Sequence, residues 1–242
     1  MKTYRIVLGY DGTDFRGWQR QPGDRTVQGV LEEALFRVTR KKVAVHGAGR
    51  TDAGVHALGQ VAGFRGAFTL SDAVLLRALN AVLPEDVRVF RLEEAPAGFD
   101  ARRSARSKLY RYRIAVTPQP DPLERRCVLH WPYPLNVAAM RRAAKLFVRT
   151  ADFTAFSSNR DRSPVRTVTR SELRRSGGEL VYTVESRGFL RYMVRTIVGT
   201  LLEVGRGRLR PEDVEDLFRT KDRSRAGTTA AAKGLTLVRV DY

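Results

Sequence analysis

The segment Tyr4-Arg-Ile-Val-Leu-Gly-Tyr10 alternates large apolar side chains with smaller or charged ones. Such alternation is typical of a β-strand that has one face in a protein core, and Asp11-Gly12 supplies the turn that ends it. Apolar residues then recur at helical spacing from Val27 to Val38, after Thr26, a residue type that favours helix N-caps. The chain is therefore predicted to begin with a β-α unit.

Four further elements are predicted in the first half. They are strands over Val43–Val45, Gln60–Phe64 and Val87–Leu92, and a helix from Ser71 that stops before Pro84 and buries Val74, Leu75, Leu79 and Val82. The order β-α-β-β-α-β is that of a ferredoxin-like unit. The loop His46–Gly59 is too long for a tight hairpin, and long loops often carry function.

Residues 95–107 interrupt this periodicity with small, Pro and basic residues. They predict a boundary between two domains, 1–104 and 105–242. The second half repeats the order, with strands Leu109–Val116, Thr167–Arg174, Glu179–Ser186 and Leu235–Tyr242, a helix from Asn136 carrying apolar residues to Val148, a helix over Phe189–Val204 and a short helix after Pro211. We expect an α+β fold of two ferredoxin-like halves with mainly antiparallel sheets, joined around a basic cleft.

The charge of the chain is strongly unbalanced. It has 44 Lys and Arg against 26 Asp and Glu, a formal net charge of +18. A field of this sign attracts phosphates, so the balance favours a nucleic-acid partner. The basic loops Arg160–Arg162, Arg206–Arg210 and Arg219–Arg225 support RNA as that partner, although a ribosome or membrane surface would be equally consistent with the charge.

Several other classes of protein lack support in the sequence. The chain has no apolar run long enough for a membrane span and no secretory signal at its start, so we expect a cytoplasmic protein. A single cysteine, Cys127, excludes an internal disulfide and a paired-cysteine metal site. Phosphate-binding and dinucleotide-binding glycine motifs are absent as well.

The segment Gly47-Ala-Gly-Arg-Thr-Asp-Ala-Gly-Val-His56 is the richest in potential chemistry. Its glycines allow close approach of a ligand, and Arg50 near Asp52 would hold that carboxylate ionised, as a nucleophile or base requires. By spacing alone, the same segment is also consistent with an ordinary Asp-Ala-Gly turn, with His56 in a structural role.

Two places in the second half combine cations with apolar or aromatic residues. Lys108, Tyr110 and Tyr112 share one face of a predicted strand, where a ring could stack on a base or pack in the core. Arg191 and Arg195 share one face of the helix predicted over Phe189–Val204. Arg195 lies among apolar residues, which is consistent with an acidic partner such as Asp52 or with a solvated side chain.

The motifs together resemble the TruA family of tRNA pseudouridine synthases, in order over nearly the whole chain. They are Tyr10-Asp-Gly-Thr13, Phe15-Arg-Gly-Trp-Gln19, Gly49-Arg-Thr-Asp-Ala-Gly-Val-His56, Tyr110-Arg-Tyr112, Asp152-Phe153, Met193-Val-Arg195, Ala226-Gly227 and Gly234-Leu235. Two departures are Ala231, where proline is common, and Arg149-Thr-Ala-Asp152, which lacks the usual glycine before Asp-Phe.

The resemblance implies a pseudouridine synthase fold, usually in a homodimer, with no cofactor and no metal. The implied substrate is uridine at positions 38, 39 and 40 in the anticodon stem-loop of tRNA. By position, Asp52 corresponds to the nucleophile and Arg50 to the arginine that helps displace and replace the flipped base. Tyr110 corresponds to the residue that packs on the target uracil, and Arg195 to the partner of the aspartate.

Two alternatives remain open from the residues themselves. One is a non-catalytic RNA-binding protein with tandem RRM-like units, because an RRM has the same element order, although its aromatic RNA-binding motif is absent here. The other is a hydrolytic RNA-processing enzyme. A binder would tolerate the loss of Asp52, and a hydrolase would shorten its RNA.

Overall fold

The computed structural model describes residues 1–158 and 163–242, so the predicted basic residues Arg160 and Arg162 lie outside the described residues. Over the described part, the chain forms ten β-strands and five α-helices. Within each of its two compact units, the strand pairs are antiparallel apart from one short parallel pair. The predicted α+β class is confirmed.

The chain divides into two compact units. The first consists of Met1–Arg106 and Leu237–Tyr242, and the second of Ser107–Thr236. The final strand therefore begins in the second unit and ends in the first. The domain bounds 1–104 and 105–242 stay a prediction, and the two units are described separately below.

The first unit has the element order expected from the sequence. Its elements are β1 (Lys2–Tyr10), α1 (Val27–Thr39), β2 (His46–Gly47), β3 (His56–Gly66), α2 (Asp72–Val82) and β4 (Val87–Glu94). The strands lie in the order β4-β1-β3, with β2 also paired to β3, which is the ferredoxin-like arrangement. Thr26 caps α1 as predicted, because its side chain accepts a hydrogen bond from the Gly29 N–H. Alternate β1 residues are buried, since Tyr4, Ile6 and Leu8 are at most 2% exposed.

Several predictions for the first unit are wrong, including the loop His46–Gly59, whose two ends belong to β2 and β3. Residues 43–45 form no strand; instead the Val45 N–H donates to the Glu32 carboxylate over 3.0 Å, so a side chain replaces the strand partner. Both valines are nevertheless buried, which explains the apolar pattern. Val74, predicted to be buried, is 37% exposed because α2 turns Leu75 and Leu79 toward the core instead.

The second unit contains more strands than the sequence indicates. Its elements are β5 (Ser107–Ala115), β6 (Leu129–His130), α3 (Val137–Lys145), β7 (Thr150–Asp152), β8 (Val165–Ser176), β9 (Glu179–Ser186), α4 (Met193–Gly205) and α5 (Asp213–Thr220), followed by the start of β10 (Leu235–Asp241). The strand order is β5-β9-β8-β7, with β6 parallel to β5. The short β6 and β7 were not predicted, because runs of two or three residues carry no periodicity.

Helix α4 is the most deeply buried element, with eleven of its thirteen residues buried. It begins at Met193, so the predicted start at Phe189 is wrong. Tyr192 has a left-handed backbone, φ 61°, which prevents the helix from extending toward the N-terminus. Helix α3 likewise ends earlier than predicted, and Val148 is 48% exposed.

Candidate active site

The loop that carries Asp52 is fastened to the segment before α1 through backbone hydrogen bonds. The Trp18 N–H donates to the Thr51 carbonyl over 3.0 Å, and the Gly54 N–H donates to the Phe15 carbonyl over 3.3 Å. Gly17, with φ +91°, allows this approach, because a Cβ there would lie 2.6 Å from the Thr51 oxygen. The peptide between Thr51 and Asp52 is therefore held against a fixed neighbour.

Asp52 begins a tight turn. Its carbonyl accepts a hydrogen bond from the Val55 N–H over 3.1 Å, and Gly54, at the third position, has φ +77°. A positive φ at that position is the requirement of a type II turn, which favours glycine. The ordinary turn that spacing indicated is therefore present, and it leaves the Asp52 side chain half-buried.

A buried polar network lies beneath this loop. The Tyr10 hydroxyl is 2.8 Å from the Thr51 hydroxyl, and the Gln60 amide nitrogen donates to the Gly49 carbonyl over 2.9 Å. Burial raises the pKa of Tyr10 to about 12, so its hydroxyl stays protonated at neutral pH. Gln60 is fully buried, and its amide oxygen has no hydrogen-bond partner among residues 1–158 and 163–242. Gly49 and Thr51, the residues on either side of Arg50, are thus held by buried side chains.

Arg50 and His56 differ sharply in their surroundings. Arg50 is exposed, and its Nε donates to the Gln19 side-chain oxygen over 3.0 Å. His56 is 4% exposed; its Nδ1 accepts from the Gly12 N–H over 3.0 Å and lies 3.1 Å from an Asp11 carboxylate oxygen. These contacts tie His56 to the end of β1, so they favour the structural role.

Tyr110, in the second unit, is 7% exposed and packs edge-on against Phe189, with ring centroids 5.2 Å apart. Tyr112, two residues along β5, is fully buried, and its hydroxyl donates to the Ala231 carbonyl over 2.7 Å. The two rings that share a strand face therefore differ in surroundings. Tyr112 belongs to the core, whereas Tyr110 borders the segment that precedes α4.

Arg195 lies in the first turn of α4 and is half-buried. Its Nε donates to the Ala230 carbonyl over 2.7 Å, and its guanidinium carbon lies over the Tyr192 ring, 5.0 Å from the centroid. The Ala230 N–H in turn donates to the Arg195 carbonyl over 3.1 Å. The segment around Ala230 therefore fixes both the backbone and the side chain of Arg195.

The predicted site residues thus fall in two places. Arg50 and Asp52 share one loop of the first unit, whereas Tyr110 and Arg195 belong to the second unit. Sequence reasoning missed the residues that support them, namely Tyr10, Gly17, Gln60 and Tyr192. Tyr10 and Gly17 belong to the sequence motifs that resemble the family, so the motifs could have identified them. Gln60 and Tyr192 could not be identified from hydrophobic periodicity.

The basic loop after α4 is largely ion-paired. Arg206 and Arg208 both contact the Glu203 carboxylate, at 3.2 and 3.5 Å, and Arg210 contacts the Asp213 carboxylate at 3.0 Å. Exposed ion pairs of this kind are weak, yet they place an acidic competitor beside each cation. The net positive field of this loop is therefore smaller than its arginine count indicates.

In the part of the chain that the structure describes, no group of three or more His, Cys, Asp or Glu side chains could hold a metal ion. None of the helices in residues 1–158 and 163–242 is both long and apolar enough to cross a membrane.

Comparison with known proteins decides the family. A family model described as tRNA pseudouridine synthase matches residues 6–102 and 143–242. The chain belongs to the tRNA pseudouridine synthase family. A tRNA pseudouridine synthase A of Geobacillus kaustophilus is 46% identical over 241 residues, covering 98% of this chain and 93% of that protein. Proteins of the same name from Brevibacillus brevis and Thermodesulfovibrio yellowstonii are 45% and 38% identical, with full coverage of both chains.

Membership of the tRNA pseudouridine synthase family confirms the resemblance and the predicted enzyme class. The family consists of isomerases that act on uridine in tRNA. This activity disfavours both alternatives, the non-catalytic tandem RRM-like protein and the hydrolytic RNA-processing enzyme. The identities of the catalytic residues are a separate question, because family membership by itself assigns none of them.

Proposed function

We propose that this tRNA pseudouridine synthase modifies uridine at positions 38, 39 and 40 of the anticodon stem-loop, with Asp52 as the nucleophile and no cofactor. Arg50 is proposed to displace the target base, Tyr110 to pack on the uracil, and Arg195 to act as a catalytic cation. The pairing of Arg195 with Asp52 stays a prediction from the resemblance. The proposal extends to a cytoplasmic homodimer that needs no metal.

The observation that carries the proposal is the way in which the backbone holds Asp52. A half-buried carboxylate stands at the start of a tight turn whose backbone is fixed by the segment before α1. The side chains beneath the loop, Tyr10 and Gln60, are neutral, so the support does not neutralise a carboxylate. Catalysis by positioning requires a reacting group held in this way.

The isomerisation of uridine to pseudouridine requires little more from the protein than one carboxylate. The glycosidic bond between C1′ of the ribose and N1 of the uracil breaks, the base turns over, and C1′ bonds to C5. N1 gains a proton and the C5 hydrogen is released to solvent, so there is no net oxidation or reduction. A carboxylate serves this isomerisation by attack on C1′, by addition to the uracil ring, or by removal of a ribose proton to give a glycal.

The target base must first leave its stack, at a cost of a few kcal/mol. An exposed cation such as Arg50 can enter the space that the base vacates, because its side chain is long and solvated. An aromatic ring such as Tyr110 can recover part of the lost stacking energy. The exposure of Arg50 supports the first of these roles.

The direct test is tritium release from tRNA labelled at C5 of uridine. The wild-type enzyme should release tritium without shortening the RNA, and Asp52→Asn should release none while it binds tRNA within a few fold of wild type. Stem-loops that carry cytidine at positions 38, 39 or 40 locate the target. Turnover near the wild-type rate in Asp52→Asn would refute the nucleophile, and release from a stem-loop lacking all three uridines would refute the site.

A further inference from the structure

Tyr192 has a backbone conformation that its place in the fold does not require. It is one of three non-glycine residues with positive φ in the described ranges, the others being Arg40 and Lys221. Those two are the C-caps of α1 and α5, where a left-handed residue is routine. Tyr192 instead precedes the first turn of α4, where a cap is normally extended, and its side chain makes no capping hydrogen bond.

The left-handed backbone brings the Tyr192 ring to two cations. The guanidinium carbons of Arg191 and Arg195 each lie 5.0 Å from the ring centroid. A guanidinium over an aromatic face is attracted by the ring quadrupole, and the contact uses the plane of the group rather than its N–H donors. The ring therefore holds a cation in position without neutralising it, which a carboxylate would do.

Arg195 is fixed at two points as a result. The Ala230 carbonyl accepts a hydrogen bond from Nε, in the plane of the guanidinium, while the Tyr192 ring contacts the group from its face. Together the two contacts restrain the guanidinium more than either contact does by itself. Strained backbone conformations of this kind persist where the surroundings enforce them, and they cluster at functional sites.

We propose that Tyr192 is a positioning residue for Arg195, and that its left-handed backbone exists to bring the ring against that guanidinium. The inference rests on the proposed function, which gives Arg195 its catalytic role. Tyr192 then acts on the rate of the isomerisation through the orientation of Arg195. Its loss should lower kcat and leave KM for tRNA almost unchanged.

The test separates the ring from the backbone conformation. Tyr192→Asn removes the ring but keeps a residue type that tolerates positive φ, whereas Tyr192→Phe keeps the ring. We expect Tyr192→Phe to stay within about twofold of wild type in kcat. Tyr192→Asn should lose about fivefold in kcat, the factor that corresponds to roughly 1 kcal/mol of cation–π attraction, with KM within about twofold.

Tyr133→Asn is the matched control. Tyr133 lies in the same unit and is 66% exposed, so the same substitution there should leave kcat unchanged. If Tyr192→Asn does not melt cooperatively, Tyr192→Gly takes its place, because glycine adopts positive φ without strain. A wild-type kcat in the ring-less variant would overturn the inference. So would a rise in KM with kcat unchanged, which would make the ring a tRNA contact.

Arg195→Ala distinguishes the inference from the proposed function. If that variant keeps the wild-type kcat, the catalytic role of Arg195 fails and the inference falls with it. If Arg195→Ala is inactive while Tyr192→Asn is unaffected, the inference alone fails. In the residual activity of Arg195→Ala, adding Tyr192→Asn should cost less than twofold, because the ring has no guanidinium left to position. A full fivefold further loss would also overturn the inference.

Discussion

The loop around Asp52 and the segment around Arg195 are held by different sets of contacts. In the first unit, backbone hydrogen bonds and a glycine contact fix the loop, and the Asp52 side chain projects from a rigid turn. In the second unit, side-chain contacts fix Arg195, through the Ala230 carbonyl and the Tyr192 ring. The Asp52 loop depends on close backbone packing, whereas the long Arg195 side chain requires contacts along its length.

The comparison predicts its largest effect at Gly17. An alanine Cβ there would lie 2.6 Å from the Thr51 oxygen and would also force an alanine to φ +91°. We expect Gly17→Ala to lower kcat/KM by about 100-fold, because small displacements of a reacting group are costly, and to lose at least about 1 kcal/mol of stability. Tritium-release kinetics and thermal melting measure the two effects.

Gly23→Ala is the control for backbone strain. Gly23 has φ +77°, but nothing lies within 4 Å of a Cβ at that position. It should lose stability comparably and keep its activity. Equal activity losses in the two variants would mean that strain, rather than contact with the Asp52 loop, determines the result.

In the second unit, activity should depend instead on the aromatic ring of Tyr110. Tyr110→Ala is expected to lose about 30-fold in kcat/KM and Tyr110→Phe only a few fold, because stacking on a base is a property of the ring. Tyr110→Leu sharpens the test. It keeps apolar packing against Phe189, so it should resemble the Phe variant in stability and the Ala variant in activity. If the Leu variant is as active as the Phe variant, Tyr110 only fills space.

A smaller effect is expected from the hydroxyl beneath the Asp52 loop. Tyr10→Phe removes the contact with the Thr51 hydroxyl, and we expect about a fivefold loss in kcat with KM unchanged. Tyr182→Phe is the matched control, because the Tyr182 hydroxyl is also buried and 2.8 Å from a serine hydroxyl, Ser171, within the second unit. It should lose similar stability and keep its kcat. A loss of kcat in both variants would make the effect one of stability alone.

The Tyr10 variant should also differ from wild type in the pH dependence of its stability at high pH. Burial raises the pKa of Tyr10 to about 12, whereas a tyrosine in the unfolded chain titrates near 10. Between these values the unfolded chain binds fewer protons, so the free energy of unfolding falls as pH rises, by up to about 1.4 kcal/mol per pH unit for one such tyrosine. Tyr10→Phe should show a shallower fall than wild type in denaturant melts from pH 9 to 11.

The sequence predicts long, periodic elements of this protein well. Strand β1 and helices α1 and α2 follow from alternation, helical spacing and caps, whereas the placement of chemistry in the glycine-rich loop stays a prediction. The support of that loop was not predictable, because it depends on contacts of Tyr10 with Thr51 and Gln60, which lie 41 and 50 residues further along the chain. The start of α4 was missed because the apolar pattern continues through Tyr192, whereas the Tyr192 backbone is left-handed, with φ 61°.

The smallest effect is expected from arginines that lie outside both the Asp52 loop and the segment around Arg195. A net charge of +18 predicts that tRNA affinity falls linearly with salt on logarithmic axes, as phosphate contacts release counterions. Arg206, Arg208 and Arg210 are paired with carboxylates, so replacing all three by Ala should flatten the slope by about one phosphate contact rather than three. Single-turnover rates on saturating tRNA should change less than about twofold, because the loop lies outside both segments that are proposed to carry catalysis.

Glu203→Gln provides a control of opposite sign. It removes the carboxylate that contacts Arg206 and Arg208, so both cations become available to phosphate and the salt dependence should steepen. Identical slopes for wild type, the triple variant and Glu203→Gln would place the tRNA footprint elsewhere on the protein. A large loss of single-turnover rate in a triple variant that still folds cooperatively would contradict the comparison between the Asp52 loop and the Arg195 segment. The loop after α4 would then belong with the segments that aim Asp52 and Arg195, because a residue that only binds phosphate cannot slow the chemical step once the tRNA is saturating.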